Sequence, residues 1–363
     1  MKSNFRKFLA NAALVIASLV VCFLALEAGM RLYSGVPILS TANFVARALD
    51  IVRTNTSVML FDEVLGWRLK DGFGAPGSGF TTTRLGIRNN AKEMTSIPKG
   101  AVLAVGDSFT AGSGVRDEQT WPAQLESLIG MPVVNGAAGA WGVDQMVLRA
   151  EKLAEEFKPS TILVGVLTQD SLRNSYEVYG GGFKPWFKVV EGKPVLQGVP
   201  VPRFEDSSAG LGWRRIAGHS WLLHWTAMSL GQSQRWISND HRYRRVLSDK
   251  EGVEVSCALM QRLDQLSKQH GSKIVVVLLW GAQESSSPEE PWYGPPVAEC
   301  ARKAGFGVLD LYPVLHDLSQ TDKTRFVRLW IDEGGVLGHP SAEGHALTAR
   351  LLQELFFPDR RAK

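Results

Sequence analysis

The sequence predicts an α/β protein, a three-layer α/β/α domain around a mainly parallel five-stranded sheet, preceded by one N-terminal transmembrane helix. Three observations carry that expectation. An almost unbroken apolar run occupies residues 8–26. From residue 101 onward, short apolar runs alternate with longer segments of helical period, as in parallel strands joined by right-handed crossover helices. One of those runs, Ala101-Val-Leu-Ala-Val-Gly106, stops at Asp107-Ser108, which puts a serine at the carboxyl end of a buried strand.

The chain has 363 residues, of which 45% are hydrophobic and 21% charged, so it can bury a large core and is neither disordered nor wholly embedded in a membrane. Lysine and arginine (40) nearly balance aspartate and glutamate (36), and the net charge of +4 makes no case for nucleic acid. Eleven tryptophans fit a buried core, and equally aromatic faces for flat or sugar ligands.

Lys2, Arg6 and Lys7 precede the apolar run, which is long enough to cross a bilayer as a helix. The basic flank is expected to stay cytoplasmic, leaving the rest of the chain on the periplasmic side of the inner (cytoplasmic) membrane. The run continues into Glu27-Ala-Gly-Met-Arg-Leu-Tyr33 without a small-residue cleavage site, so residues 1–30 read as an uncleaved single-pass anchor rather than a signal peptide. Cys22 lies in that anchor. Cys257 and Cys300 lie in helix-like segments of the outer domain, either as a pair or as two buried thiols.

Residues 31–100 read as a linker and a packed-on segment, with Gly66-Trp-Arg68 and Phe80 to Arg88 as short strands and no chemistry assigned. The domain proper runs over 101–360. After the Ser108 loop come a helix over Trp121–Ile129 with Thr120 as cap, a strand ending at Asn135, a glycine-rich bend over 136–145 and a helix to Glu156. The strand Thr161–Leu167 then ends at Thr168-Gln169-Asp170. The loops at these strand ends gather on one side, so Ser108, backbone amides of the bend and Gln169 converge. A nucleophile and amide donors are what acyl transfer needs to hold a tetrahedral oxyanion. Ser108 in the plainer alternative only caps a helix.

Residues 175–250 form an insertion, loop-rich at Gly180–Gly182 and Asp206–Gly210, with one helix over Trp221–Trp236. Its tryptophans and Arg235, Arg242, Arg244 and Arg245 suit either a roof for an anionic sugar or phospholipid, or a solvated basic face over packed rings. A helix over Val253–Lys268, a strand over Lys273–Trp280, a helix around Val297–Lys303 and a strand over Val308–Leu311 complete the sheet. Ser341 then caps a helix to about Leu355, which holds His339 just outside its amino terminus.

Gly106-Asp-Ser-Phe-Thr110 resembles the first block of the SGNH, or GDSL-type, hydrolases. Residues 135–145 resemble the second block, Gln169-Asp170 falls at the third, and His339-Pro-Ser-Ala-Glu-Gly-His345 resembles the last. The resemblance covers about residues 60–175 and the carboxyl-terminal stretch, and is nearest to membrane-anchored bacterial members, often linked to surface polysaccharides. It implies an SGNH/flavodoxin-like fold with Ser108 as nucleophile and His339 as base. It also implies oxyanion donors at the amide of Ser108, at the backbone near Gly139 or Ala140, and at Gln169. Two positions depart from the family: Ala140 stands where a glycine is usual and Gln169 where an asparagine is usual. The family's aspartate, two or three residues before the histidine, is replaced by Leu337 or Val336. Asp332 is the candidate acid if Gly334 and Gly335 let the chain bulge back; otherwise Ser108 and His339 form a dyad.

The reading is an extracytoplasmic serine ester hydrolase acting on an acylated carbohydrate or other ester, with acyl or acetyl groups of a cell-surface polysaccharide as the implied substrate. A polysaccharide O-acetyltransferase with the same site and a non-catalytic carbohydrate-binding or scaffolding relative stay open beside it. No metal and no cofactor are expected, because no His, Cys and carboxylate cluster has ligand spacing.

Overall fold

The computed structural model describes residues 2–45, 58–75, 77–90, 98–180, 182–202, 212–232, 236 and 243–360. Pro76, the loop around Asp206–Gly210, Arg235 and Arg242 lie outside the described residues. The chain divides into two compact units, a larger one from 54–203 and 243–363 and a smaller one from 1–53 and 204–242.

The larger unit is built on a five-stranded, wholly parallel sheet. Its strands are β1 (Val102–Gly106), β2 (Val133–Asn135), β3 (Thr161–Leu167), β4 (Lys273–Leu279) and β5 (Gly307–Asp310), in the order β2-β1-β3-β4-β5. Alternate side chains along each strand point to opposite faces, and both faces are covered. Leu103, Val105, Ile162, Val164 and Val276 pack with the helices Val143–Phe157 and Asp249–His270 on one face. Val102, Ala104, Leu163, Val275 and Val277 pack with Trp121–Ile129 and Ala342–Phe356 on the other. That burial on both sides explains the near-continuous apolar runs, and the three-layer α/β/α class is as the sequence predicts. The strand order reverses between β1 and β3, which is where such sheets open a crevice at their carboxyl ends.

Helix starts and stops follow local chemistry. The Thr120 hydroxyl accepts from the Ala123 amide, and Ser341 accepts from the Gly344 amide. Gly130 and Gly271 close two helices in the left-handed conformation. Cys257 and Cys300 are joined by a disulfide that ties the helix Asp249–His270 to Gly294–Lys303.

Three local expectations change. Phe80–Arg88 is no continuous strand: Thr82 and Arg88 form an isolated bridge around a turn at Arg84–Gly86. Tyr176–Gln197 folds into antiparallel hairpins within the larger unit, joined at one edge by Arg244–Arg245. The helix expected over Trp221–Trp236 ends at Ser229.

In the smaller unit a helix over Lys2–Tyr33 is long and apolar enough from Phe5 onward to span a membrane, and its apolar side chains are exposed.

Candidate active site

Gly106 ends β1 where Thr110 folds back over it. A Cβ on Gly106 would lie 2.1 Å from Thr110 Oγ1 and 2.6 Å from the Gly165 carbonyl oxygen, so the turn needs a bare α-carbon there. Asp107 is fully buried, and its Oδ1 accepts from the Phe109 amide (2.9 Å), starting the one-turn helix Ser108–Ala111. Ser108 is thereby lifted to the mouth of the crevice. Three groups brace it from behind. Asn135 Nδ2 donates to the Thr110 carbonyl (3.1 Å). Buried Arg88 donates to the carbonyls of Ala111 and Gly112 (2.5 Å each) and pairs with Asp117. Arg173 Nη1 donates to Asp107 Oδ2 (3.2 Å), offsetting the charge beside the serine.

His339 approaches from the other side on β7 (Leu337–Pro340), which pairs antiparallel with β6 (Trp330–Asp332). His339 Nε2 lies 3.0 Å from Ser108 Oγ, and Nδ1 lies 2.6 Å from Glu333 Oε1. A carboxylate only accepts, so the ring proton sits on Nδ1 and the Nε2 lone pair faces the serine hydroxyl. The hydrogen bond from His339 holds the Glu333 carboxyl below its ordinary pKa. Asp107 Oδ2, 3.3 Å from Ser108 Oγ, is a second and longer acceptor for that hydroxyl.

The carboxylate that faces the imidazole is therefore Glu333, one residue on from the sequence expectation of Asp332. Asp332 turns its carboxylate to the Gly335 amide (2.6 Å), capping the hairpin turn, while Glu333 reaches the imidazole. The next feature explains how: a Cβ on Gly338 would lie 2.3 Å from Glu333 Cδ, so the side chain crosses the hairpin over a bare α-carbon. Gly338 immediately before His339 was the available signal. Arg88 and Arg173 were missed as well, because Ala111, Gly112 and Asp107, which they hold beside Ser108, lie more than twenty residues away in sequence.

The oxyanion candidates are placed unequally. Gly139 abuts Ser108, with its hypothetical Cβ 3.8 Å from Ser108 Cβ, and Trp67 Nε1 donates to its carbonyl (2.9 Å). Ala140 adopts φ +63°, the left-handed conformation that favours glycine. Gln169 directs its carboxamide to Glu284, which also accepts from the Tyr293 hydroxyl (3.3 Å). Asp170 is fully buried against Arg173, and burial pushes its carboxyl well above the usual range. A cleft of about 240 Å³ beside Gln169 is lined by Tyr176, Tyr179, Tyr293, Arg245 and Asp249. His345 is buried, accepts from the Trp121 amide (3.2 Å), and is pushed down to about 3 by burial, which keeps it neutral and structural.

No family model and no curated relative matches the chain. Among solved structures, Axe2, an acetylxylan esterase from Geobacillus stearothermophilus, is similar over 74% of this chain and 99% of its own, at 15% identity and a TM-score of 0.41. TesA is similar over 71% of this chain and 98% of its own, at 13% identity and a TM-score of 0.37. A G-D-S-L family protein from Desulfitobacterium hafniense DCB-2 covers 70% of this chain and 99% of its own, at 15% identity and a TM-score of 0.37. At these identities and TM-scores, any functional reading rests on the geometry of Ser108, His339 and Glu333.

Proposed function

We propose that the protein is a membrane-anchored, extracytoplasmic serine ester hydrolase working through an acyl-enzyme. The observation that carries the reading is the imidazole of His339, bridged between Ser108 Oγ at 3.0 Å and Glu333 Oε1 at 2.6 Å. His339 Nε2 takes the hydroxyl proton as Ser108 Oγ attacks the ester carbonyl, and Glu333 steadies the imidazolium. The proton passes to the departing alkoxide, which leaves Ser108 acylated. A water then attacks, giving its proton to Nε2, and the acid is released with Ser108 restored. The amide of Ser108 and the backbone at Gly139–Ala140 are the oxyanion donors in this scheme, with Gln169 a third if it leaves Glu284.

The disulfide supports an oxidising compartment, and the apolar helix Phe5–Tyr33 supports a single-pass anchor in the cytoplasmic membrane. Acyl or acetyl esters of a cell-surface polysaccharide are the substrate class. The motif resemblance supports this class, and so does the tyrosine-lined cleft beside Gln169, whose ring faces suit sugars. A fluorophosphonate probe tests the nucleophile: it labels the folded protein, and Ser108→Ala removes the label. Folded wild-type protein that stays unlabelled at saturating probe overturns the enzyme reading.

A further inference from the structure

The outer end of the apolar helix is built into a small folded unit. Call that helix α1 (Lys2–Tyr33) and the helix of the insertion α2 (Trp221–Ser229). Glu27 is the first residue after the apolar run. Its carboxylate accepts from the Ser220 hydroxyl (2.7 Å) and from the amides of Trp221 (2.8 Å) and Leu222 (2.9 Å), so it caps α2 from 193 or more residues away in sequence. Arg31, one turn further along α1, is buried and pairs with Glu27 at 2.5 Å. Its remaining donors go to the carbonyls of Ile38, Ser40 and His219. Two charges at the end of an apolar span are thus neutralised against each other and spent on fastening α2.

The fastened helix is unusual for a surface element. Trp221-Leu-Leu-His-Trp-Thr-Ala-Met-Ser229 carries no carboxylate, lysine or arginine, and its apolar residues lie all around the axis. The sole ionisable side chain, His224, accepts from Trp236 Nε1 (3.0 Å) and stacks on Trp221. Leu223, Trp225, Met228 and Leu230 nevertheless stand exposed, as do Trp213 (68%) and Ile216 (83%) just before them. A helix that is apolar all round belongs in a core or in lipid. Its capped end is held by Glu27, the first residue after the unbroken apolar run of α1, so α2 starts at the outer end of that run within this unit. Tryptophans are enriched at the headgroup level of bilayers, and exposed Arg215, between Trp213 and Ile216, suits lipid phosphates.

We infer that α2, with Trp213 and Ile216, is a second membrane contact: it lies in the headgroup–acyl boundary where α1 emerges, held there by Glu27 and Arg31. The inference rests on the reading of α1 as a retained anchor. It assigns this part of the insertion to lipid rather than to substrate.

The test uses the full chain with Cys22→Ser, reconstituted in phosphatidylcholine vesicles, with an environment-sensitive thiol dye placed by Met228→Cys or Ile216→Cys. Both dyes are expected to emit blue-shifted, to be quenched by nitroxide-labelled lipid and to be shielded from aqueous iodide. Adding Glu27→Ala should abolish the lipid quenching at position 228 while the protein still sediments with vesicles and Ser108 still takes a fluorophosphonate. Iodide quenching of both dyes in the otherwise native chain overturns the inference. So does shielding without lipid quenching, the signature of a second copy or protein partner on α2. A mature protein lacking residues 1–26 by mass spectrometry overturns it together with the anchor, whereas loss of fluorophosphonate labelling alone strikes only the esterase reading.

Discussion

Ser108 and His339 meet at 3.0 Å, yet they arrive from regions built in opposite ways. The serine stands at the end of a strand hydrogen-bonded on both sides, with every residue from Val102 to Asp107 buried. Its turn is tied down by Arg88, Asn135 and Asp107. The histidine rides a two-stranded hairpin that pairs only with itself, has a register shift between Trp330 and Asp332, and leaves residues 332–336 exposed. The side chains of His339 and Glu333 are 28% and 45% exposed. Damage to the first region should therefore register as lost stability, since its neighbours are core atoms. Damage to the second should register as lost turnover in a protein that is still folded.

The sharpest way to break this contrast is Gly106→Ala. The added methyl meets Thr110 and the Gly165 carbonyl oxygen at 2.6 Å or less, and backbone on the neighbouring strand has little freedom to retreat. A loss of roughly 3–4 kcal/mol in denaturant unfolding is expected, at the upper end for overpacking. A variant as stable as the parent would show the turn to be looser than described.

Glu333→Gln probes the opposite region. It should leave the unfolding midpoint in place and lower kcat/KM for a small ester about 10²-fold, less than the ~10⁴ known for a buried triad acid because Glu333 is partly solvated. Asp332→Asn is the matched control and should change turnover by no more than about twofold, as an exposed substitution away from the reacting groups. Reversed magnitudes would return the acid to Asp332 and contradict the hairpin geometry.

Among the substitutions expected to cause damage, Gly338→Ala should have the smallest effect. Its methyl displaces a flexible carboxylate rather than backbone, so Glu333 swings away from the imidazole at little cost in stability. A decrease of about 10-fold in kcat/KM is expected, since modest misplacement of a positioning group costs up to 10²-fold. Combining Gly338→Ala with Glu333→Gln should add nothing further, because both act through one contact.

Legibility in the sequence followed the range of the interactions. The three central strands were readable because they are buried on both faces and so are almost wholly apolar. The caps at Thr120 and Ser341 were readable because a cap acts within three residues. Phe80–Arg88 misled because a run of threonines with alternating bulk resembles a strand, while Leu85 and Gly86 adopt positive φ and turn it. Glu333 was overlooked in favour of Asp332 because the choice depends on hairpin register and on the gap above Gly338.

By itself the chain determined the apolar N-terminal helix, the alternation of strand and helix, and the serine at a strand's end, since each is encoded in neighbouring residues. Only the tertiary structure decided that Glu333 faces His339, that Cys257 joins Cys300, and that Glu27 caps a helix almost two hundred residues on. Those contacts join residues through space, and a linear pattern carries no record of which distant side chains the packed sheet and hairpins bring within hydrogen-bonding reach.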